Sequence, residues 1–106
     1  IGTPGSYGIL QTTPQMVMNF IDHKMNIQAA IEAPRVKTGA PGYKVDAESR
    51  IDREVCAELE RRGHKFNFIG DWSMGVGGGQ GIAIDADTGS FMGGADPRRD
   101  GYALGW

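Results

Sequence analysis

Gln80-Gly81-Ile82-Ala83-Ile84-Asp85-Ala86-Asp87-Thr88-Gly89-Ser90-Phe91-Met92-Gly93-Gly94 reads as two strands, Gln80–Asp85 and Ser90–Gly94. The cluster Asp85–Gly89 between them is a tight turn. Upstream, apolar residues recur mostly at helical spacing. Helices first and a hairpin last favour an α+β fold over a parallel doubly wound one.

Working outward from the hairpin, Gly70–Gly79 reads as a loop and His64–Ile69 as a strand with Phe66 and Phe68 on one face. Asp52 is an N-cap for a helix over about 53–62, with Val55, Cys56 and Leu59 on its apolar face and Gly63 as its stop. Glu58 and Arg62 form an i,i+4 pair on it. Residues 36–42, which hold Gly39, Pro41 and Gly42, read as a loop, and Tyr43–Val45 and Glu48–Ile51 as short extended pieces. Asn26 caps a helix over 27–33 that buries Ile27, Ala30 and Ile31, and Pro34 ends it. A first helix is expected over 14–23, with Thr12 or Thr13 as N-cap, Pro14 at its first position and a stripe of Met16, Val17, Phe20 and Ile21. Residues 3–8 form a turn in which Pro4 presets φ and Gly5 supplies a positive φ. Residues 95–106 are a polar, then aromatic, tail.

The chain has 106 residues, a single segment, and a net charge of −2, which argues against a general binder of nucleic acid or anionic membranes. Its single Cys56 excludes an intrachain disulfide or a multi-cysteine zinc site. No apolar run is long enough to cross a bilayer. Of the 17 glycines, 12 fall in residues 63–106, so that half is either flexible or built on tight turns and close backbone approach. Ile1-Gly2-Thr3-Pro4-Gly5-Ser6 reads as mid-chain, the start of a fragment or processed product. With so few strands, one sheet face stays bare unless another segment covers it. The isolated segment is therefore expected to associate, as a homo-oligomer or otherwise.

Few constellations suggest chemistry. Gly75-Val76-Gly77-Gly78-Gly79 lacks phosphate-loop spacing and precedes a strand instead of opening a helix. His23 and His64 are far apart without metal-ligand spacing, so no metal or cofactor is expected. Cys56 reads as a buried structural thiol. In Pro4-Gly5-Ser6-Tyr7-Gly8, successive N–H groups either form a simple turn or converge on an anion or oxyanion. Ser6 is a nucleophile only with a nearby base, and none is identifiable. Asp96-Pro97-Arg98-Arg99 reads either as a surface turn with a local ion pair or as a guanidinium fork for a carboxylate.

Taken in order, several segments resemble the γ-glutamyltranspeptidase family. Gly2-Thr3-Pro4-Gly5-Ser6 resembles its GTPGG turn, and Gln11 to Asp22 its QTxxQxxxNxxD helix. Met25-Asn26-Ile27-Gln28-Ala29-Ala30-Ile31-Glu32-Ala33-Pro34-Arg35 is similar to its MNxQEAIEAPR segment. Leu59–His64, Gly79–Ile82 and Gly94–Gly101 resemble its LExRGH, GxQAI and GASDPRRDG stretches. The match spans nearly the whole chain.

The resemblance implies part of an αββα N-terminal-nucleophile hydrolase sandwich. A precursor cleaves itself, and the new N-terminal Thr attacks a γ-glutamyl amide, giving a γ-glutamyl-enzyme that passes to water or an amino acid. This chain corresponds to the C-terminal part of the small subunit. Its implied partners are the rest of the precursor and a γ-glutamyl small molecule, in either an exported or a cytoplasmic setting. The nucleophile lies upstream in the family, and Thr3, Thr12 and Thr13 do not match it. The family's oxyanion hole falls on the N–H groups of Gly5 and Ser6. Ser6 replaces the second glycine, keeping the N–H and adding a Cβ and a hydroxyl. The alternatives are a cephalosporin-acylase-like enzyme or a non-catalytic structural module.

Overall fold

The computed structural model describes residues 1–39 and 44–106. A 3-10 turn, Ser6–Gly8, runs directly into α1 (Ile9–Ile21), followed by α2 (Ile27–Glu32), β1 (Val36–Thr38) and β2 (Lys44–Ala47). Then come α3 (Arg53–Arg61), β3 (Lys65–Phe68), a second 3-10 turn over Met74–Val76, β4 (Gln80–Ile84) and β5 (Phe91–Ala95). The α+β class stands.

Two local caps act as their residue types dictate. The Asn26 side chain accepts from the Ala29 N–H at 2.8 Å and opens α2. The Asp52 side chain accepts from the Glu54 N–H at 2.7 Å and opens α3. Gly63, at φ 97°, ends α3. Glu58 pairs with Arg62 at 2.8 Å and also with Arg61. Cys56 is buried on α3, whereas Val55 is exposed and leaves the expected apolar face.

The first helix departs from expectation. It begins at Ile9, and Pro14 lies inside it. Thr12 is not a cap. It is buried, and its hydroxyl donates to the Gly8 carbonyl at 2.9 Å. The preceding 3-10 turn supplies a ready nucleus, so the helix needs no side-chain cap and tolerates the one backbone bond that proline removes.

Val36–Thr38 was expected to be loop and is a strand. The reason lies on α1. The Gln15 side chain accepts from the Val36 N–H at 2.9 Å and donates to the Val36 carbonyl at 2.8 Å. One turn earlier, the Gln11 side chain does the same to Thr38, at 2.7 and 3.1 Å. These amides stand in for a neighbouring strand and satisfy one edge of β1. Its other edge pairs antiparallel with β2, Val36 opposite Ala47. Glu48–Ile51 is a turn and not extended, closed by the Ile51 N–H on the Glu48 carbonyl at 3.1 Å. Of the expected loop 36–42 and the piece Tyr43–Val45, residues 40–43 lie outside the described residues.

β2 and β3 are parallel, Lys44 opposite Lys65, so α3 is a crossover within a mixed sheet instead of one of a run of helices preceding a hairpin. Phe66 and Phe68 stack with centroids 6.0 Å apart on one face of β3, as the alternation requires. β4 and β5 form the expected hairpin, with Gln80 opposite Ala95 and Ile84 opposite Phe91. At its turn the Asp85 side chain accepts from the Asp87 and Thr88 N–H groups, and Gly89 takes φ 71°.

The core lies between α1, α2 and the inward face of this hairpin. Met16, Ile27 and Ile31 are fully buried, with Phe20 and Ala83 packed on them. Each such side chain stabilises the fold by about 1.5–3 kcal/mol. The inward face is built of small residues because the helix sits close. A Cβ on Gly81 would lie 2.9 Å from Ile27 Cδ1, and one on Gly94 3.0 Å from Ile31 Cδ1. The outward face carries Ile82, Ile84 and Phe91, all exposed.

Candidate functional site

Four charged side chains are buried together: Arg35, Glu48, Asp96 and Arg98. Each stands just beyond the end of an element. Arg35 follows α2 and Pro34, Glu48 follows β2, and Asp96 and Arg98 follow β5. The Arg98 guanidinium forks onto Glu48, Nε to Oε1 at 2.7 Å and Nη2 to Oε2 at 2.5 Å. It also reaches the Asp96 carboxylate at 3.0 Å and the carbonyls of Ile31, Glu32 and Ala33 at 3.0–3.3 Å. A cation there caps the last carbonyls of α2. Arg35 donates to the other Asp96 oxygen and to Met16 Sδ.

Two guanidinium and two carboxylate groups balance. Burial pushes the Asp96 carboxyl up, but the Gly79 and Arg98 N–H groups and Arg35 outweigh it and hold it below the usual carboxylate range. Burial likewise raises Glu48, and the Arg98 fork with the Arg35 and Ser73 N–H groups brings it below its ordinary value. Burial pulls the Arg35 guanidinium down and neighbouring Arg98 repels it, while Arg98, between two carboxylates, is raised. The Asp96–Arg99 segment is therefore not a surface turn. Its guanidinium fork grips a carboxylate of the chain itself. Of its three charged residues Arg99 alone stays exposed, its stem against Gly78 and its head on the Met74 carbonyl at 3.3 Å.

The network reaches the glycine strap 77–79. Gly79 donates to Asp96 at 2.7 Å, and Gly78 donates to Thr3 Oγ1 at 2.9 Å. All three glycines are buried. A Cβ on Gly77 would strike Thr3, one on Gly78 would strike Arg99, and one on Gly79 would lie 2.6 Å from Met16 Sδ. Close backbone approach is the reason for this cluster, and flexibility is not. A two-way bond between Gly2 and Gln80, 2.8 Å each way, adds a second tie between the N-terminal stretch and the hairpin.

Those ties carry the Pro4-Gly5-Ser6 turn. Gly5 takes φ 143° and ψ 19°, open only to glycine, and Ser6 follows at φ 52°. The small ψ places the Gly5 and Ser6 nitrogens nearly eclipsed, on one side of the turn. Neither N–H donates to any group among the described residues, and both residues are exposed. The two candidate oxyanion donors are thus adjacent and unengaged. Thr13 lies on α1 and Thr12 is consumed in a helix bond. His23 and His64 are exposed, and among the described residues no three His, Cys, Asp or Glu side chains group for a metal. Nor is any helix among them long and apolar enough to cross a membrane.

Sequence reading singled out Gly5, Ser6 and Asp96–Arg99 but missed Arg35, Glu48 and Thr3 as partners. No local signal marks these three, because their partners lie on other elements of the chain.

A family model described as gamma-glutamyltranspeptidase matches residues 1–106. The chain belongs to the gamma-glutamyltranspeptidase family. It is 34% identical over 106 residues to a glutathione hydrolase proenzyme of Bacillus subtilis (strain 168), covering 99% of this chain and 17% of the relative. An acylase ACY 1 proenzyme of Pseudomonas sp. (strain V22) is 38% identical over 101 residues, covering 95% and 17%. The crystal structure of cephalosporin acylase from Bacillus halodurans superposes with a TM-score of 0.90 at 37% identity, over 99% of this chain and 19% of that one. The chain thus spans about a sixth of the length of these two relatives and about a fifth of that cephalosporin acylase chain.

Proposed function

We propose that this chain is the C-terminal portion of the catalytic subunit of a γ-glutamyltransferase or glutathione hydrolase-like enzyme. It supplies the oxyanion-hole turn, and the nucleophile comes from another part of the precursor. The observation that carries this is the pair of unengaged, adjacent N–H groups on Gly5 and Ser6. A tetrahedral oxyanion needs preorganised donors of this kind, held before charge develops. The exposed outward face of the hairpin, Ile82, Ile84 and Phe91, supports burial against the remainder of the same precursor.

The reaction splits acyl transfer into two steps. An upstream N-terminal Thr adds to the γ-glutamyl carbonyl and the amine leaves. The acyl ester is then attacked by water or an amino acid. The Gly5 and Ser6 N–H groups stabilise the oxyanion in both steps.

A second reading, an acylase acting on β-lactam side chains, is favoured by the 37% identity to the cephalosporin acylase and by Ser6 in place of glycine. The test is release of nitroaniline from γ-glutamyl-p-nitroanilide, with this chain alone and co-folded with the rest of its precursor. Activity only in the combined sample supports the first reading. No γ-glutamyl release but cleavage of acyl side chains in a properly self-cleaved sample supports the second.

A further inference from the structure

The two proposed donors sit on successive peptide planes, and each plane has a carbonyl at its other end. In a trans peptide the carbonyl and the N–H point in opposite directions. Whatever holds the Pro4 carbonyl therefore aims the Gly5 N–H, and whatever holds the Gly5 carbonyl aims the Ser6 N–H. The second is held by backbone, the Gly8 N–H at 2.9 Å. The first is held by a side chain, the Thr3 hydroxyl, which donates to the Pro4 carbonyl at 3.0 Å.

That same hydroxyl accepts from the Gly78 N–H at 2.9 Å. Gly78 is buried, and its neighbour Gly79 is fastened to Asp96 inside the ion network. Gly77 approaches so closely that no side chain fits between it and Thr3. The Thr3 oxygen thus receives one bond from a rigid strap and gives one to the turn.

We infer that Thr3 is a positioning residue for the oxyanion turn. Its hydroxyl relays the fixity of the buried Arg35–Asp96–Arg98–Glu48 network, through Gly78, to the Pro4–Gly5 peptide plane and so to the direction of the Gly5 N–H. The inference rests on the proposed role of Gly5 and Ser6, and it holds for any acyl group transferred there. Val keeps the shape of Thr and removes both bonds, whereas Ser keeps both bonds.

The experiment uses the full-length, self-cleaved protein that contains this chain, as wild type, Thr3→Val and Thr3→Ser. Hydrolysis of γ-glutamyl-p-nitroanilide, or of an acyl side-chain substrate if that is the active one, is resolved into kcat and KM. Removing one oxyanion donor typically costs about 10²–10³ in kcat, so misaiming one is expected to cost about 10–100-fold. Thr3→Val is expected to show that loss with KM within about twofold, and Thr3→Ser to recover most of it. Amide hydrogen exchange at Gly78, read by mass spectrometry, is expected to quicken in Thr3→Val and not in Thr3→Ser. Unchanged kcat in Thr3→Val, a loss confined to KM, or unaltered Gly78 exchange overturns the inference. A wild type with no acyl-transfer activity overturns the functional reading, and Gly78 exchange still decides whether the Thr3 clamp exists.

Discussion

The Gly79 N–H donates to the Asp96 carboxylate at 2.7 Å, with both residues buried. This bond joins two features that the chain keeps 17 residues apart, a glycine strap and a buried ion network. One carboxylate oxygen serves Gly79 and Arg35, and the other serves the N–H and guanidinium of Arg98. Shape and charge at the heart of the fold therefore depend on the same group.

Asp96→Asn removes the charge and keeps the volume. It leaves Arg35 and Arg98 buried with one carboxylate between them, and breaking a buried pair in this way costs about 3–5 kcal/mol. We expect a loss near 3 kcal/mol, since the amide oxygen still accepts one bond. Urea unfolding of the full-length protein checks it, and a midpoint within error of wild type would refute the role assigned to the network.

Acid should weaken the fold through the same groups. Glu48 and Asp96 have folded pKa values below their ordinary 4.5 and 3.8. The unfolded chain thus binds more protons in this range, and stability rises with pH. The contribution is present in full above the ordinary values and is lost as pH falls through the lower, folded ones. Thermal melts between about pH 6 and pH 3 should show a falling Tm, with a shallower slope in Glu48→Gln. Parallel slopes would mean that Glu48 does not carry the effect.

Gly79→Ala places a methyl 2.6 Å from Met16 Sδ and 3.1 Å from Ile31 Cγ2. Overpacking of this kind costs about 1–3 kcal/mol. Met16→Ala alone opens a cavity costing about 2–5 kcal/mol. Because the alanine methyl enters space the methionine leaves, the double variant should be less destabilised than the two losses added. A double-mutant cycle on unfolding free energies checks the sign, and strict additivity would show that the two side chains do not compete.

Ser6→Gly and Gly5→Ala probe the turn from opposite sides. Ser6 at φ 52° carries a left-handed cost of about 1–2 kcal/mol, against which glycine adds chain entropy of about 0.4–1 kcal/mol. The net expectation for Ser6→Gly is a gain of roughly 0.5 kcal/mol, measured by chemical unfolding. Gly5→Ala at φ 143° must distort the turn, and kcat for acyl transfer should fall by about tenfold or more. Equal activity in Gly5→Ala would remove this turn from the mechanism.

Much of the fold was legible where residue chemistry acts locally. Asn26 and Asp52 cap the helices they precede, Gly63 ends α3, and the Asp85–Gly89 turn follows from its own side chains. Even the positive φ at Gly5 follows from its place after Pro4. The start of α1 was misread because Pro14 signals a first position on its own, whereas the turn at Ser6–Gly8 had already nucleated the helix. β1 is not legible locally because its partners, β2 on one edge and the Gln11 and Gln15 amides of α1 on the other, come from elsewhere in the chain, and no periodicity within Val36–Thr38 shows that.

The site divides the same way. Gly5 and Ser6 are candidates from the turn and from the family pattern carried by the order of motifs, because turn geometry needs only neighbouring residues. Burial of Arg35, Glu48, Asp96 and Arg98 was decided by tertiary structure alone, since a charge is tolerated inside only when its partners arrive from other elements. The grip of Thr3 on Gly78, 75 residues away, belongs to the same class. Local caps and turns are encoded by adjacent atoms, whereas the anchoring of the Pro4–Ser6 turn, and with it the aim proposed for its N–H groups, depends on where α2, β2 and β5 end in space.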